Sequence, residues 1–80
     1  GEPPMPWAST RDLPPSVRDH IAEEEGRRLF LEVFEAAWAR GYDEASCFRQ
    51  AWGALRRAGW RRGPDGMWRR VRGSSPLARG

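Results

Sequence analysis

The sequence predicts a mainly α fold: a compact small domain of two main helices, with a short N-terminal helix before them and a small C-terminal β-hairpin after them. Three observations carry this expectation. First, Phe34-Glu35-Ala36-Ala37-Trp38 and Phe48-Arg49-Gln50-Ala51-Trp52 share the pattern Phe-x-x-Ala-Trp, fourteen positions apart. In a helix, residues three and four apart lie on one face, so each segment presents a Phe, a small Ala and a Trp to the same neighbour. Second, Gly41 and Gly59 stand where the two helical patterns stop, the usual place for a left-handed cap. Third, Pro64-Asp65-Gly66 separates two copies of Trp-Arg-Arg, residues 60–62 and 68–70, as a turn separates two short strands.

Residues 1–11 contain three Pro and no periodic pattern, and are read as an extended or disordered segment. Met5 fits a native start, which makes Gly1-Glu2-Pro3-Pro4 a remnant of cloning. The domain is expected over 12–72, and the small and polar residues of 73–80 have the composition of a flexible tail. Asp12-Leu13-Pro14-Pro15-Ser16-Val17 opens a helix of one to two turns. Proline suits a first turn because its missing N–H would be unpaired there anyway. Leu13, Val17 and Ile21 follow at four-residue spacing and are expected to dock as one aliphatic set.

The first main helix is expected to begin near Glu23, with Glu23, Glu24 and Glu25 at the positive end of its dipole. Leu29, Phe30, Val33, Phe34, Ala37 and Trp38 give a strong three–four spacing. They span an arc of roughly 180°, wide for a surface helix, so contacts on two sides are expected. Arg28, Glu32 and Glu35 lie opposite. Asp43 is placed to cap the second main helix, whose inner stripe is Phe48, Ala51, Trp52 and Leu55. The link from Gly41 to Asp43 is too short for anything but antiparallel or steeply crossed packing. In the hairpin, a three-residue loop with Gly in a bulge pairs Arg62 with Trp68 and sets Trp60 and Trp68 on one face. A two- or four-residue loop sets them on opposite faces; the first is favoured because both indoles then cover the helices.

Eighty residues make one domain near the lower size limit for folding without staples. Five Trp and three Phe offset this, each able to bury roughly 150–250 Å². One Cys excludes an intrachain disulfide, and one His excludes a Cys/His metal cluster. No apolar run approaches a membrane span and no signal sequence is visible, so the expectation is a cytoplasmic protein without membrane insertion. The net charge of +3 conceals a gradient: residues 1–55 carry six Arg against ten acids, residues 56–80 eight Arg against Asp65 alone. Every basic residue is Arg. A GC-rich coding sequence produces this by itself, and forked guanidinium groups also suit phosphate, carboxylate or aromatic partners.

These residues resemble the ChaB family of small proteins, named for regulation of cation transport. The similarity runs through Met5-Pro6-Trp7, Asp12-Leu13-Pro14-Pro15-Ser16-Val17-Arg18, Phe34-Glu35-Ala36-Ala37-Trp38, Ala51-Trp52-Gly53-Ala54-Leu55-Arg56 and Asp65-Gly66-Met67-Trp68. It covers nearly the whole expected domain. Ile21-Ala22-Glu23-Glu24-Glu25-Gly26 departs from the family's Leu-Pro-x-x-Ala-Gln step, Gly53 replaces its usual Ala, and the link between the main helices is shorter than in some members. The resemblance implies a small helical fold with a terminal hairpin. It also implies a regulatory or adaptor role in cation transport, exerted by contact with a protein.

No Gly-rich phosphate loop, zinc spacing or catalytic triad is present, so a non-enzymatic module is expected, without catalytic, cofactor or metal residues. His20 reads as a solvated or capping side chain, and Cys47 as a structural thiol at the helix edge. Ser16, Ser46 and Asp43 read as helix-start caps. Glu23, Glu24 and Glu25 splay around a helix rather than converging on a cation. The one candidate surface is basic: Arg49, Gly53, Arg56 and Arg57 on the back of the second main helix, with Arg61, Arg62, Arg69, Arg70 and Arg72 on the hairpin. Gly53 leaves backbone bare for a close approach. Such a surface suits an acidic protein, a transporter-associated one included. It equally suits nucleic acid, where Arg binds phosphate and Trp stacks. The alternative to both is that Trp60 and Trp68 are core and the Arg merely solvate the hairpin: an exposed Trp60 or Trp68 favours recognition, whereas burial of both favours scaffolding.

Overall fold

The computed structural model describes residues 7–71. The expectations for 1–4, for the tail 73–80 and for Arg72 lie outside the described residues. A 3-10 turn, Thr10–Asp12, leads into α1 (Pro15–Arg18), α2 (Glu24–Ala39), α3 (Glu44–Arg57), β1 (Trp60–Arg62) and β2 (Trp68–Arg70).

The segment read as extended or disordered through residue 11 is docked from Trp7 onward. Trp7 packs at 4.5 Å from the ring of Phe34 and 5.7 Å from that of Phe48. Thr10 Oγ1 donates to Glu24 Oε2 at 2.6 Å, fastening the 3-10 turn to the start of α2. α1 is a single turn with Pro15 at its first position, where no N–H is missed. Ser16, expected as a cap, makes no capping bond. Leu13, Val17 and Ile21 are all buried as expected, but Ile21 is not helical. The chain is extended there and forms a parallel bridge to Trp68. Trp68 N–H donates to the His20 carbonyl at 2.8 Å, and Ala22 N–H donates to the Trp68 carbonyl at 3.0 Å.

α2 starts one residue after Glu23 and buries Gly26, Phe30, Phe34 and Ala37. Leu29, Val33 and Trp38 flank this stripe half-buried, and Leu31 joins them. The helix ends in a Schellman motif: Gly41 N–H donates to the Trp38 carbonyl and Tyr42 N–H to the Ala37 carbonyl, with Gly41 at φ +92°. Asp43 Oδ1 accepts the Ser46 N–H at 2.8 Å, the cap expected of α3. The centre of the α3 stripe is Cys47, Ala51 and Leu55, with Phe48 and Trp52 to one side. Cys47 thus lies in the core rather than at an edge, and its thiol sits 3.6 Å from the Tyr42 carbonyl.

The aromatic contacts run in opposite order along the two helices, Phe34 against Phe48 at 5.1 Å and Phe30 against Trp52 at 4.7 Å, so α2 and α3 are antiparallel. The two Phe-x-x-Ala-Trp segments meet in one seam. β1 and β2 pair with Arg62 opposite Trp68 and Trp60 opposite Arg70. Gly63 N–H donates to the Met67 carbonyl at 2.8 Å, leaving Pro64-Asp65-Gly66 as a three-residue loop with Gly66 at φ +85°. Both hairpin indoles lie against the helices: Trp60 is 2% exposed and Trp68 7%. Among the described residues, no polar or charged side chain is buried.

Candidate basic surface

Cross-strand partners share a face of a hairpin, and successive residues alternate. Trp60, Arg62, Trp68 and Arg70 therefore occupy the inner face, Arg61 and Arg69 the outer one. The inner face carries one pair twice. At one end Arg70 flanks Trp60; at the other Arg62 flanks Trp68. This is the structural meaning of the repeated Trp-Arg-Arg triplet.

The basic residues singled out from the sequence do not form one patch. Arg69 is committed to the turn, its two terminal nitrogens 3.2 and 3.0 Å from the Asp65 carboxylate. Asp65 also accepts the Met67 N–H at 3.0 Å. The Arg69 guanidinium, with that N–H, holds the Asp65 carboxyl below its ordinary value and raises Arg69 in return. Arg61 donates to the carbonyls of Arg56 and Trp60 at 2.7 and 2.8 Å, closing the end of α3 onto β1. Arg70 bridges to Glu25 at 3.0 Å beside a hollow of about 230 Å³ that also holds Arg28 and Glu32. Arg49 donates to Ser46 Oγ at 3.0 Å. Arg57 and Arg62 make no hydrogen bond or ion pair among the described residues. At Gly53 an added Cβ would meet only the Arg57 guanidinium, at 3.5 Å. Packing therefore does not require glycine there.

Arg56 and Arg62 do share one groove. With Ser16, His20, Trp52 and Trp68 they line an open groove of about 360 Å³ between the end of α1, α3 and the hairpin. The Arg56 guanidinium lies 5.4 Å from the Trp68 ring centre, and Trp52 stacks on the same indole at 5.1 Å. Cation and π face attract in this arrangement. The sequence reading missed Ser16, His20 and Trp52 as neighbours of this site. Residues 16–20 arrive through the pairing of 20–22 with β2, a long-range contact with no periodic signal. Cys47, Glu24 and Asp43 are shifted by local causes. Burial pushes the Cys47 thiol up, away from the reactive thiolate. Thr10 and Arg27 hold Glu24 below its usual range, and the Ser46 N–H does the same for Asp43.

Among the described residues, no three His, Cys, Asp or Glu side chains gather as a metal site, and no helix is long and apolar enough to cross a membrane. Comparison with known proteins finds no matching family model, no matching curated protein and no matching solved structure.

Proposed function

We propose that the chain is a non-enzymatic adaptor or regulatory module of ChaB-like type, working in the cytoplasm by contact with an acidic protein surface. Regulation of cation transport is what the family resemblance adds. The observation that carries the reading is the division of labour in the hairpin. Both tryptophans are buried as scaffold, while Arg62 on β2's partner strand and Arg57 at the end of α3 are exposed and uncommitted among the described residues. A charged surface whose two hairpin indoles are both buried favours a carboxylate-bearing protein over single-stranded nucleic acid, whose binding draws on base stacking as well as phosphate contacts.

The test is capture from nuclease-treated lysate with the unaltered protein and with the double variant Arg57→Glu, Arg62→Glu. Both positions are exposed, so the variant keeps its helical circular dichroism and its melting temperature. A protein retained by the first and lost by the second supports the reading. A partner that vanishes on nuclease treatment, together with binding to short DNA or RNA that weakens steeply with added salt, replaces it with the nucleic-acid alternative.

A further inference from the structure

The two ends of the hairpin's inner face carry the same Trp–Arg pair but differ in what completes it. Beside Trp60, Arg70 meets the Glu25 carboxylate at 3.0 Å. Beside Trp68, among the described residues, Arg62 meets no carboxylate and no Asp or Glu lines the groove. Instead the groove gathers a second guanidinium, Arg56, over Trp68, with His20 and Ser16 also in its lining. Two like charges lining one groove repel each other, and an anion between them relieves that repulsion.

We propose that this groove receives a carboxylate side chain from an acidic, extended peptide segment of a partner protein, in the place that Glu25 takes at the other end. The inference rests on the protein-contact reading and names the site and chemistry of that contact. Three features select a peptide carboxylate. Arginine forks match carboxylates through two parallel bonds, as Arg69 already does with Asp65 in the same hairpin. The groove is open to solvent, so an extended segment can lie in it. Trp68 already stacks on Trp52, carries Arg56 and is 7% exposed, so it offers a base no open face.

The experiment is an NMR titration of the full chain with a capped peptide of alternating Glu and Gly. It follows the indole N–H signals of Trp52 and Trp68 and the Nε–H signals of the arginines. Saturable shifts confined to Trp52, Trp68, Arg56 and Arg62 are expected. Arg62→Gln should weaken binding roughly threefold to fivefold, as loss of a partly exposed ion pair does. Arg28→Gln, which removes the same charge elsewhere, should leave affinity unchanged. Equal weakening by both variants overturns the proposal, because it means diffuse attraction. Shifts centred on Arg49 and Arg57 sink the groove while leaving the protein-contact reading intact; no binding at all sinks both. Parallel titrations with inorganic phosphate and a short oligothymidylate complete the test, and tighter binding of either at these residues overturns the choice of a peptide.

Discussion

Gly26 and Gly53 are both helix-interior glycines in opposite surroundings. A Cβ on Gly26 would stand 2.7 Å from the Ile21 Cγ2 methyl and 2.8 Å from the Trp60 ring. Neither neighbour is the free end of a flexible chain; both are buried. Overpacking of this kind costs about 1–3 kcal/mol and outweighs the helix propensity that alanine adds. Gly26→Ala should therefore lower the denaturant midpoint. Gly53→Ala has room and should raise stability by up to about 1 kcal/mol. Urea titrations of the two variants check both signs. If Gly53 serves close approach of a partner, the stabilised variant binds less well. In the sequence these glycines look alike, because what distinguishes them is the Trp60 ring, arriving from a strand far along the chain. Cys47 shows the same dependence: its place at the centre of the α3 stripe follows from the helix's rotation, which the large aromatics Phe48 and Trp52 obscure in the sequence.

The elements that could be read from the sequence are those whose signals are local. The cap at Asp43, the Schellman stop at Gly41 and the three-residue hairpin loop follow from residues a few positions apart. The seam of α2 and α3 was legible because two strong periodicities joined by a short link have few ways to pack. Trp7 was not legible. It sits in a proline-rich stretch without periodicity, and only the finished seam offers it the rings of Phe34 and Phe48. Its contacts make the chain from residue 7 onward part of the fold. Trp7→Ala should cost about 1–2 kcal/mol, from lost apolar burial and lost ring contacts. The loss should appear as a lower midpoint at unchanged far-ultraviolet dichroism at 25 °C. An unaltered midpoint would show that the indole is not held there. The basic surface was legible as charge but not as geometry, since the same Arg type serves as turn clamp at 69, strand brace at 61 and open cation at 62.

At the scale of the molecule, three surface carboxylates are held below their ordinary values: Glu24 by Thr10 and Arg27, Asp43 by the Ser46 N–H, and Asp65 by Arg69. A carboxylate depressed on folding stabilises the fold above its unfolded pKa, and that contribution is lost as pH falls through the folded one. Melting temperature should thus hold steady above about pH 5 and decline through the acid range below pH 4. Asp43→Asn should shallow that decline, which a series of thermal scans would show. The pairing of residues 20–22 with Trp68 sets a further condition, one of timing. During synthesis Ile21 and the bare flank of Gly26 leave the ribosome long before Trp60 and Trp68, the side chains that cover them. The two helices can meet early, but the apolar surface beside them stays wet until the hairpin has cleared the exit tunnel. Completion of this fold therefore waits for the hairpin, and a nascent chain stalled before Trp68 remains open to proteases and chaperones.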